Sequence, residues 1–307
     1  MTLIWGTNYS IVKSAFAEIN PQAFNAIRMM IASAVFLTIM AVIRRLPSAA
    51  DAPPDGADAI ASIFHTPAPV TRNDWLGLVG IGVVGHLFYQ YFFIGGLART
   101  TVANSSLMLA ATPVVITLVS GALGQDRVGV LHWVGAVLSM LGIYIVVGHG
   151  AAFDRAGLIG DVMTFGAVCC WAIYTVGARQ LMMRHSPVGV TGSSMTIGTV
   201  LYVPAVWRHL RSVDFTSVSV ATWFSILYSA LFALCVAYTI WYAAVRQIGS
   251  ARTAVYSNLV PLVAMVTAVV FLGEPLSPTK IVGAGAVLVG VALTRVGRRR
   301  VAIPAQE

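Results

Sequence analysis

Charge is what this sequence has least of. Asp, Glu, Lys and Arg together make up 10% of its 307 residues, against about 25% in an ordinary soluble domain. A soluble fold of this length would lack the charge to cover its surface, so that class is excluded. Cysteine is also scarce. Cys169, Cys170 and Cys235 are odd in number, lie in apolar stretches and lack metal-ligand spacing. Neither a disulfide framework nor a zinc centre is indicated, and the three thiols read as small buried hydrophobes. Acidic residues number 11 against 19 basic ones. The excess does not read as a nucleic-acid surface, because the basic residues gather at the ends of apolar runs. No basic segment precedes the first apolar run, so the start does not read as a cleavable signal peptide.

Apolar length is what the sequence has in quantity: 58% of residues are hydrophobic, with a mean hydropathy of +0.82. A helix needs about 20 apolar residues to cross a bilayer. That measure predicts ten spans, with approximate limits Leu3 to Ala17, Pro21 to Ile43, Trp75 to Leu97, Val102 to Leu123 and Val128 to Val147 in the first half. The second half holds Leu158 to Gln180, Val188 to Val206, Val218 to Val245, Thr253 to Phe271 and Pro278 to Thr294. The expected class is an all-α integral membrane protein of ten transmembrane helices, with the lipid bilayer as its surroundings. Tight turns such as Asn20-Pro21 and Ser186-Pro187 join the spans, proline being well placed at a helix start. Residues 46–73 differ, being rich in Ala, Pro and Asp, and read as a mobile cytoplasmic loop.

With the N-terminus inside, the inner connections and the tail carry twelve Arg residues, including Arg295, Arg298, Arg299 and Arg300. The outer ones carry five Lys or Arg, namely Arg99, Arg155, Arg208, Arg211 and Lys280. The asymmetry places both termini in the cytoplasm, and the basic tail 297–307 reads as a topology anchor.

The chain also repeats itself. At a shift of 148, Trp75 falls on Trp223, Ala103 on Ala251, Pro113 on Pro261, Asp126 on Glu274, Gly135 on Gly283 and Gly142 on Gly290. The first two spans align at a shift of 166, where Trp5 meets Trp171, Lys13 meets Arg179 and Pro21 meets Pro187. Residues 1–148 and 149–296 are thus expected to be two five-helix units. Five is odd, so the second unit must enter the membrane inverted. Inverted repeats are a transporter architecture, with the solute site near the midplane between them. Trp5 stands much nearer the start of its span than Trp171 does. Either a short cytoplasmic end precedes this sequence or the first helix is short.

Phe271-Leu272-Gly273-Glu274-Pro275-Leu276-Ser277-Pro278, followed by Gly283 and Gly290, resembles the closing signature of the drug/metabolite transporter superfamily, EamA type. Trp5-Gly6-Thr7-Asn8 with Lys13, Pro21 and Arg28, and Gly160-Asp161 leading to Trp171-Ala172-Ile173-Tyr174 and Arg179, resemble the openings of its two repeats. The resemblance covers essentially the whole chain. It implies a ten-helix exporter of small metabolites, commonly amino acids, working by alternating access in a bacterial inner membrane. Within the superfamily, the aromatic content of the third and eighth spans resembles that of the bacterial YddG-type amino-acid exporters. Asp126 stands where the pattern expects Glu.

Charges within spans are functional candidates by default. Lys13 and Arg28 either hold a substrate carboxylate or serve structure, Lys13 by reaching outward or either one by pairing with Glu18. Asp161 reads as a dipole-matched residue in the first turn of its helix. Asp126 and Glu274 read as turn residues, and Ser277-Pro278 as N-cap and N1. Pro113 and Pro261 sit inside spans, where they kink helices. His86 reads as a hydrogen-bonded packing residue. No carboxylate stands at midplane, which favours facilitated, gradient-driven export over obligatory proton exchange.

Helical spacing puts His86, Tyr89, Gln90 and Phe93 on one face, and Tyr238, Trp241 and Tyr242 on another. The repeat aligns Gln90 with Tyr238 and Phe93 with Trp241, so both faces are expected around one cavity. Asn104, Ser105 and Met108, Tyr256 and Asn258, and Trp171 and Tyr174 are expected to join them. Apolar walls with a few polar groups suit an amphipathic metabolite, and aromatic faces suit a cation. An aromatic belt or plain helix packing is the alternative. No metalloprotease, intramembrane aspartate or P-loop motif is present, so no enzyme and no cofactor are expected. A filter-like run, as a channel needs, is lacking as well. The small-molecule carrier is expected to work as a monomer. A multidrug exporter of the same fold is the alternative.

Overall fold

The computed structural model describes residues 1–45, 62–65, 68–99, 105, 108–109, 111–125, 129–147, 155–272 and 278–296. The expectations at Asn104, Asp126, Glu274 and Ser277, the basic tail and most of the 46–73 loop fall outside them. Among the described residues every regular element is a helix.

The order is α1 (Thr2–Ala15), α2 (Pro21–Ile43), α3 (Arg72–Arg99), α4 (Thr112–Ala122), α5 (Val130–Val147), α6 (Arg155–Met182) and α7 (Pro187–Ala205). Then come the short α8 (Trp207–Arg211), α9 (Val220–Ile248), α10 (Ser250–Ala254), a 3-10 turn at Val255–Asn258, α11 (Leu259–Leu272) and α12 (Pro278–Val296). Among the described residues, four helices are long and apolar enough to cross a membrane: Pro21–Ile43, Arg72–Arg99, Leu158–Met182 and Val220–Ile248.

The helix starts follow local chemistry. Asn20 caps α2 by accepting from the Gln22 and Ala23 N–H groups, with Pro21 at the first helical position. Ser186 caps α7 ahead of Pro187 in the same way. Thr71 and Asp74 form a reciprocal capping box at the start of α3. Gly249, at φ +91°, terminates α9 where a side chain would be strained.

Four expectations are corrected. The span expected at Thr253 to Phe271 is interrupted by the 3-10 turn at Val255–Asn258. Pro113 stands in the first turn of α4, where its missing N–H costs nothing, instead of kinking a helix from within. Asp161 lies buried well inside α6, which begins at Arg155, so it is no first-turn dipole partner. Glu18 pairs with neither Lys13 nor Arg28. Its Oε2 accepts from the Ser219 N–H at 3.0 Å and the Thr222 hydroxyl at 2.8 Å, and its Oε1 from the Ser219 hydroxyl at 3.0 Å. Those donors hold the Glu18 carboxyl below its ordinary range.

Two helices carry a feature with no sequence signal. α3 is π-helical at Val83–Phe88 and α9 at Ser229–Val236. Shifting the first by 148 gives 231–236, inside the second.

Residues related by the repeat shifts also meet in space. At a shift of 148, Gln90 Nε2 donates to the Tyr238 hydroxyl at 3.3 Å, and Ser139 Oγ to the Val287 carbonyl at 3.3 Å. At a shift of 166, Ser33 and Thr199 share a hydroxyl hydrogen bond of 2.8 Å, and the Trp5 and Trp171 rings lie 5.8 Å apart at 83°. α5 and α12 pack antiparallel through reciprocal glycines. A methyl on Gly142 would lie 2.7 Å from the Gly283 carbonyl oxygen, and one on Gly290 would lie 2.5 Å from the Gly135 carbonyl oxygen.

Candidate functional site

Where α1, α2, α3, α4, α6, α9 and α11 converge lies an open cavity. Its lining includes Trp5, Asn8 and Tyr9 from α1, Arg28 from α2, Tyr89, Gln90 and Phe93 from α3, and Trp171 from α6. Leu109, Thr112, Ala233, Leu234, Tyr238, Ser257, Val260 and Pro261 complete it. Two pairs of repeat mates, Trp5 with Trp171 and Gln90 with Tyr238, face each other in this wall.

Arg28 is the chemical centre. It is 2% exposed, and a buried guanidinium is costly without compensation. Its Nε donates to Asn25 Oδ1 at 2.6 Å, Nη1 to Ser229 Oγ at 2.7 Å, and Nη2 to Gln90 Oε1 at 2.8 Å. All three acceptors are neutral, and no carboxylate pairs with Arg28 among the described residues. A guanidinium has five N–H donors. These bonds engage one on each nitrogen, leaving one on each terminal nitrogen, the number a carboxylate takes bidentate. Gln90 is oriented by its neighbours, its oxygen accepting from Arg28 while its amide donates to Tyr238. Ser229 reaches Arg28 from the start of the π-helical stretch of α9.

The aromatic wall is densely packed. Trp171 lies 5.0 Å from Tyr89, 5.2 Å from Tyr238 and 5.7 Å from Trp241 between ring centres. Trp5 meets Tyr238 edge to face at 6.0 Å, and its Nε1 donates to the Ala233 carbonyl at 3.0 Å. That bond ties α1 to the π-helical stretch of α9.

Of the residues expected at the site, Tyr89, Gln90, Phe93, Trp171, Tyr238 and Arg28 line this cavity. The others among the described residues stand behind or beside it. His86 belongs to the π-helical turn, whose wider winding rotates it off the face shared by Tyr89, Gln90 and Phe93. Its Nε2 bonds the Tyr174 hydroxyl at 2.9 Å, and that hydroxyl shares a 3.2 Å bond with Ser194 Oγ. Tyr174 fits there because α3 presents Gly85, where any methyl would overlap the Tyr174 ring. Trp241 and Tyr242 are fully buried in a second layer behind Trp5, Trp171 and Tyr174. Met108 yields its place to Leu109, while Tyr256 and Asn258 yield theirs to Ser257 on the 3-10 turn. Lys13 points away and donates to the Leu97 carbonyl at 2.6 Å.

The residues missed by sequence reasoning include Trp5, Asn8, Tyr9 and Thr112. Trp5 and Asn8 are within reach of the sequence, as repeat mates of Trp171 and Tyr174. Tyr9 and Thr112 carry no comparable signal.

Comparison with known proteins agrees with a membrane carrier. The EamA-like transporter family model matches residues 1–148 and again 158–296. The chain is 22% identical to the uncharacterized transporter YyaM of Bacillus subtilis, over 94% of this chain and 89% of that protein. It is 26% identical to an uncharacterized transporter of Archaeoglobus fulgidus, over 95% of this chain and 93% of that one. A probable terminal-alkyne amino-acid exporter of Streptantibioticus cattleyicolor is 26% identical over 71% of this chain and 73% of its own length. One crystal structure superposes with a TM-score of 0.74 at 19% identity, covering 98% of this chain and 96% of that one, which establishes a shared fold. The chain is therefore a multi-pass membrane protein and not an enzyme, and it belongs to the EamA-like transporter family.

Proposed function

We propose that this protein exports small carboxylate-bearing metabolites, amino acids and their N-substituted relatives, aromatic ones among them, across a bacterial inner membrane by alternating access. The observation that carries the reading is Arg28, a buried cation with only neutral partners, set in an aromatic cavity. Such a group is stabilised when a solute supplies the missing negative charge. The name of the S. cattleyicolor relative supports the same substrate class and direction.

The architecture we infer is ten spans in two inverted five-helix repeats, 1–148 and 149–296, followed by a basic tail at 297–307, with both termini cytoplasmic. The two separate family matches support the division. So do the four pairs of repeat mates in contact and the matched π-helical stretches. Reciprocal contacts across an antiparallel helix pair are what a twofold axis in the membrane plane produces. One chain then holds the whole site and works as a monomer. Among the described residues the cavity lining holds no carboxylate and no histidine, which supports transport driven by the solute gradient without obligatory proton exchange.

Counterflow of labelled phenylalanine, leucine and lysine into liposomes, with and without a pH gradient, tests this. A charge-assisted hydrogen bond contributes about 1.5–3 kcal/mol, so Arg28→Gln should weaken half-saturation by about 10- to 100-fold. Arg28→Lys should recover part of it. Counterflow untouched by Arg28→Gln would refute the site, and no counterflow of any amino acid would refute the substrate class.

A further inference from the structure

We infer that the cavity selects solutes by net charge and takes organic monoanions, a carboxylate on an apolar body with a neutral nitrogen or hydroxyl end, in preference to zwitterions. The inference rests on the reading of Arg28 as the carboxylate anchor. It concerns what the rest of the cavity does with the other end of the solute.

Arg28 is the one formally charged side chain among the described lining residues. With a monoanion bound, the buried charge is neutralised. With a zwitterion bound, the solute's ammonium brings a second positive charge into the same cavity, and no carboxylate among the described lining residues meets it. Charge interactions beside buried groups are stronger than in bulk water, so this difference counts against the zwitterion.

An ammonium can instead be received by aromatic faces, but here part of that ring surface is taken up by neighbouring rings: Trp5 meets Trp171 at 83° and Tyr238 at 87°, and Trp171 meets Tyr238 at 62°. The polar groups left over are neutral. Asn8 Oδ1 and Thr112 Oγ1 are buried and unpartnered among the described residues, and both side chains belong to the cavity wall. A buried acceptor without a partner is destabilising. Neither side chain brings a negative charge that would meet an ammonium.

The test uses the full-length protein in lipid nanodiscs, with binding followed by tryptophan fluorescence, since Trp5 and Trp171 line the cavity. Three probes of similar shape differ in charge: phenylalanine, N-acetylphenylalanine and phenylalanine amide. The monoanion should bind at least about tenfold more tightly than the zwitterion, and the cationic amide should not bind. Asn8→Asp, nearly isosteric, supplies the missing negative charge and should reverse the order, strengthening phenylalanine and weakening N-acetylphenylalanine. If both carboxylates bind equally and Arg28→Gln abolishes both, the charge preference is overturned while the anchor stands. Binding of the amide, or an unchanged order in Asn8→Asp, overturns it too. If neither carboxylate binds, the carboxylate site itself falls and takes this inference with it.

Discussion

The α5–α12 seam offers the sharpest test of the proposed twofold relation. Gly142 and Gly290 are repeat mates, and each abuts the backbone of the opposite helix. A methyl on Gly142 would lie 2.7 Å from both the Gly283 oxygen and the Val287 nitrogen, and one on Gly290 would lie 2.5 Å from the Gly135 oxygen and 2.6 Å from the Ser139 nitrogen. Backbone cannot swing aside as a flexible side chain does, so the helices must part by about half an ångström, and overpacking of this kind costs about 1–3 kcal/mol. Replacing glycine by alanine inside a helix returns up to about 1 kcal/mol. Gly142→Ala and Gly290→Ala should therefore each destabilise by about 1–2 kcal/mol. The parting that admits one methyl also makes room for its mate, so the double variant should cost less than the sum of the two. Gly285→Ala is the control. It lies on the same helix with nothing within 4 Å of the added methyl, and should be neutral or slightly stabilising. Thermal unfolding in detergent measures all four variants. Single variants as stable as Gly285→Ala, or one costly and its mate neutral, would refute the reciprocal seam.

Two further outcomes follow from bonds that bridge distant parts of the chain. Trp5→Phe keeps a ring in place but leaves the buried Ala233 carbonyl without its donor. Unfolding should show a loss of about 1–2 kcal/mol, against almost none for Trp207→Phe at an exposed position. Glu18, held below its ordinary range by Ser219 and Thr222, contributes stability that is complete above the unfolded carboxylate value and is lost as pH falls through the folded one. The gap in unfolding temperature between wild type and Glu18→Gln should therefore shrink between about pH 7 and about pH 3, and a gap that widens would contradict the bonding described.

The parts of the fold legible in the sequence are those where backbone geometry restricts the residue. Asn20-Pro21 and Ser186-Pro187 declare helix starts because few residue types cap a helix or fit its first turn, and both stand where expected. Arg28 was legible as a candidate because a charge within an apolar run is rare. Two of its three partners were not, because Gln90 and Ser229 come from other helices, beside or within the stretches where the winding changes. The stretch Ser229–Val236 reads Ser-Ala-Leu-Phe-Ala-Leu-Cys-Val. It is apolar nearly all round, so its pattern carries no phase from which a π-helical turn can be read. The same change of winding in α3 moved His86 behind the wall, although a 3.6-residue period groups it with Gln90.

Symmetry of scaffold and asymmetry of chemistry then have different sources. Some contacts on the proposed axis keep small or matched residues, as at Ser33 with Thr199 and Trp5 with Trp171, because two helices crossing at one point must each leave room for the other. Away from the axis the mates diverge. Asn8, Arg28 and Leu234 all line the cavity. Their counterparts at the two shifts are Tyr174, Ser194 and His86, which bond to one another and enclose no lining surface. One side of the axis thus leaves a buried cation facing open space, while the equivalent volume on the other is filled by a phenol, an imidazole and a hydroxyl. The repeat alone therefore points to where a site lies without saying which half holds the charge. That assignment rests on the lone guanidinium of Arg28, whose mate at the shift of 166 is a serine.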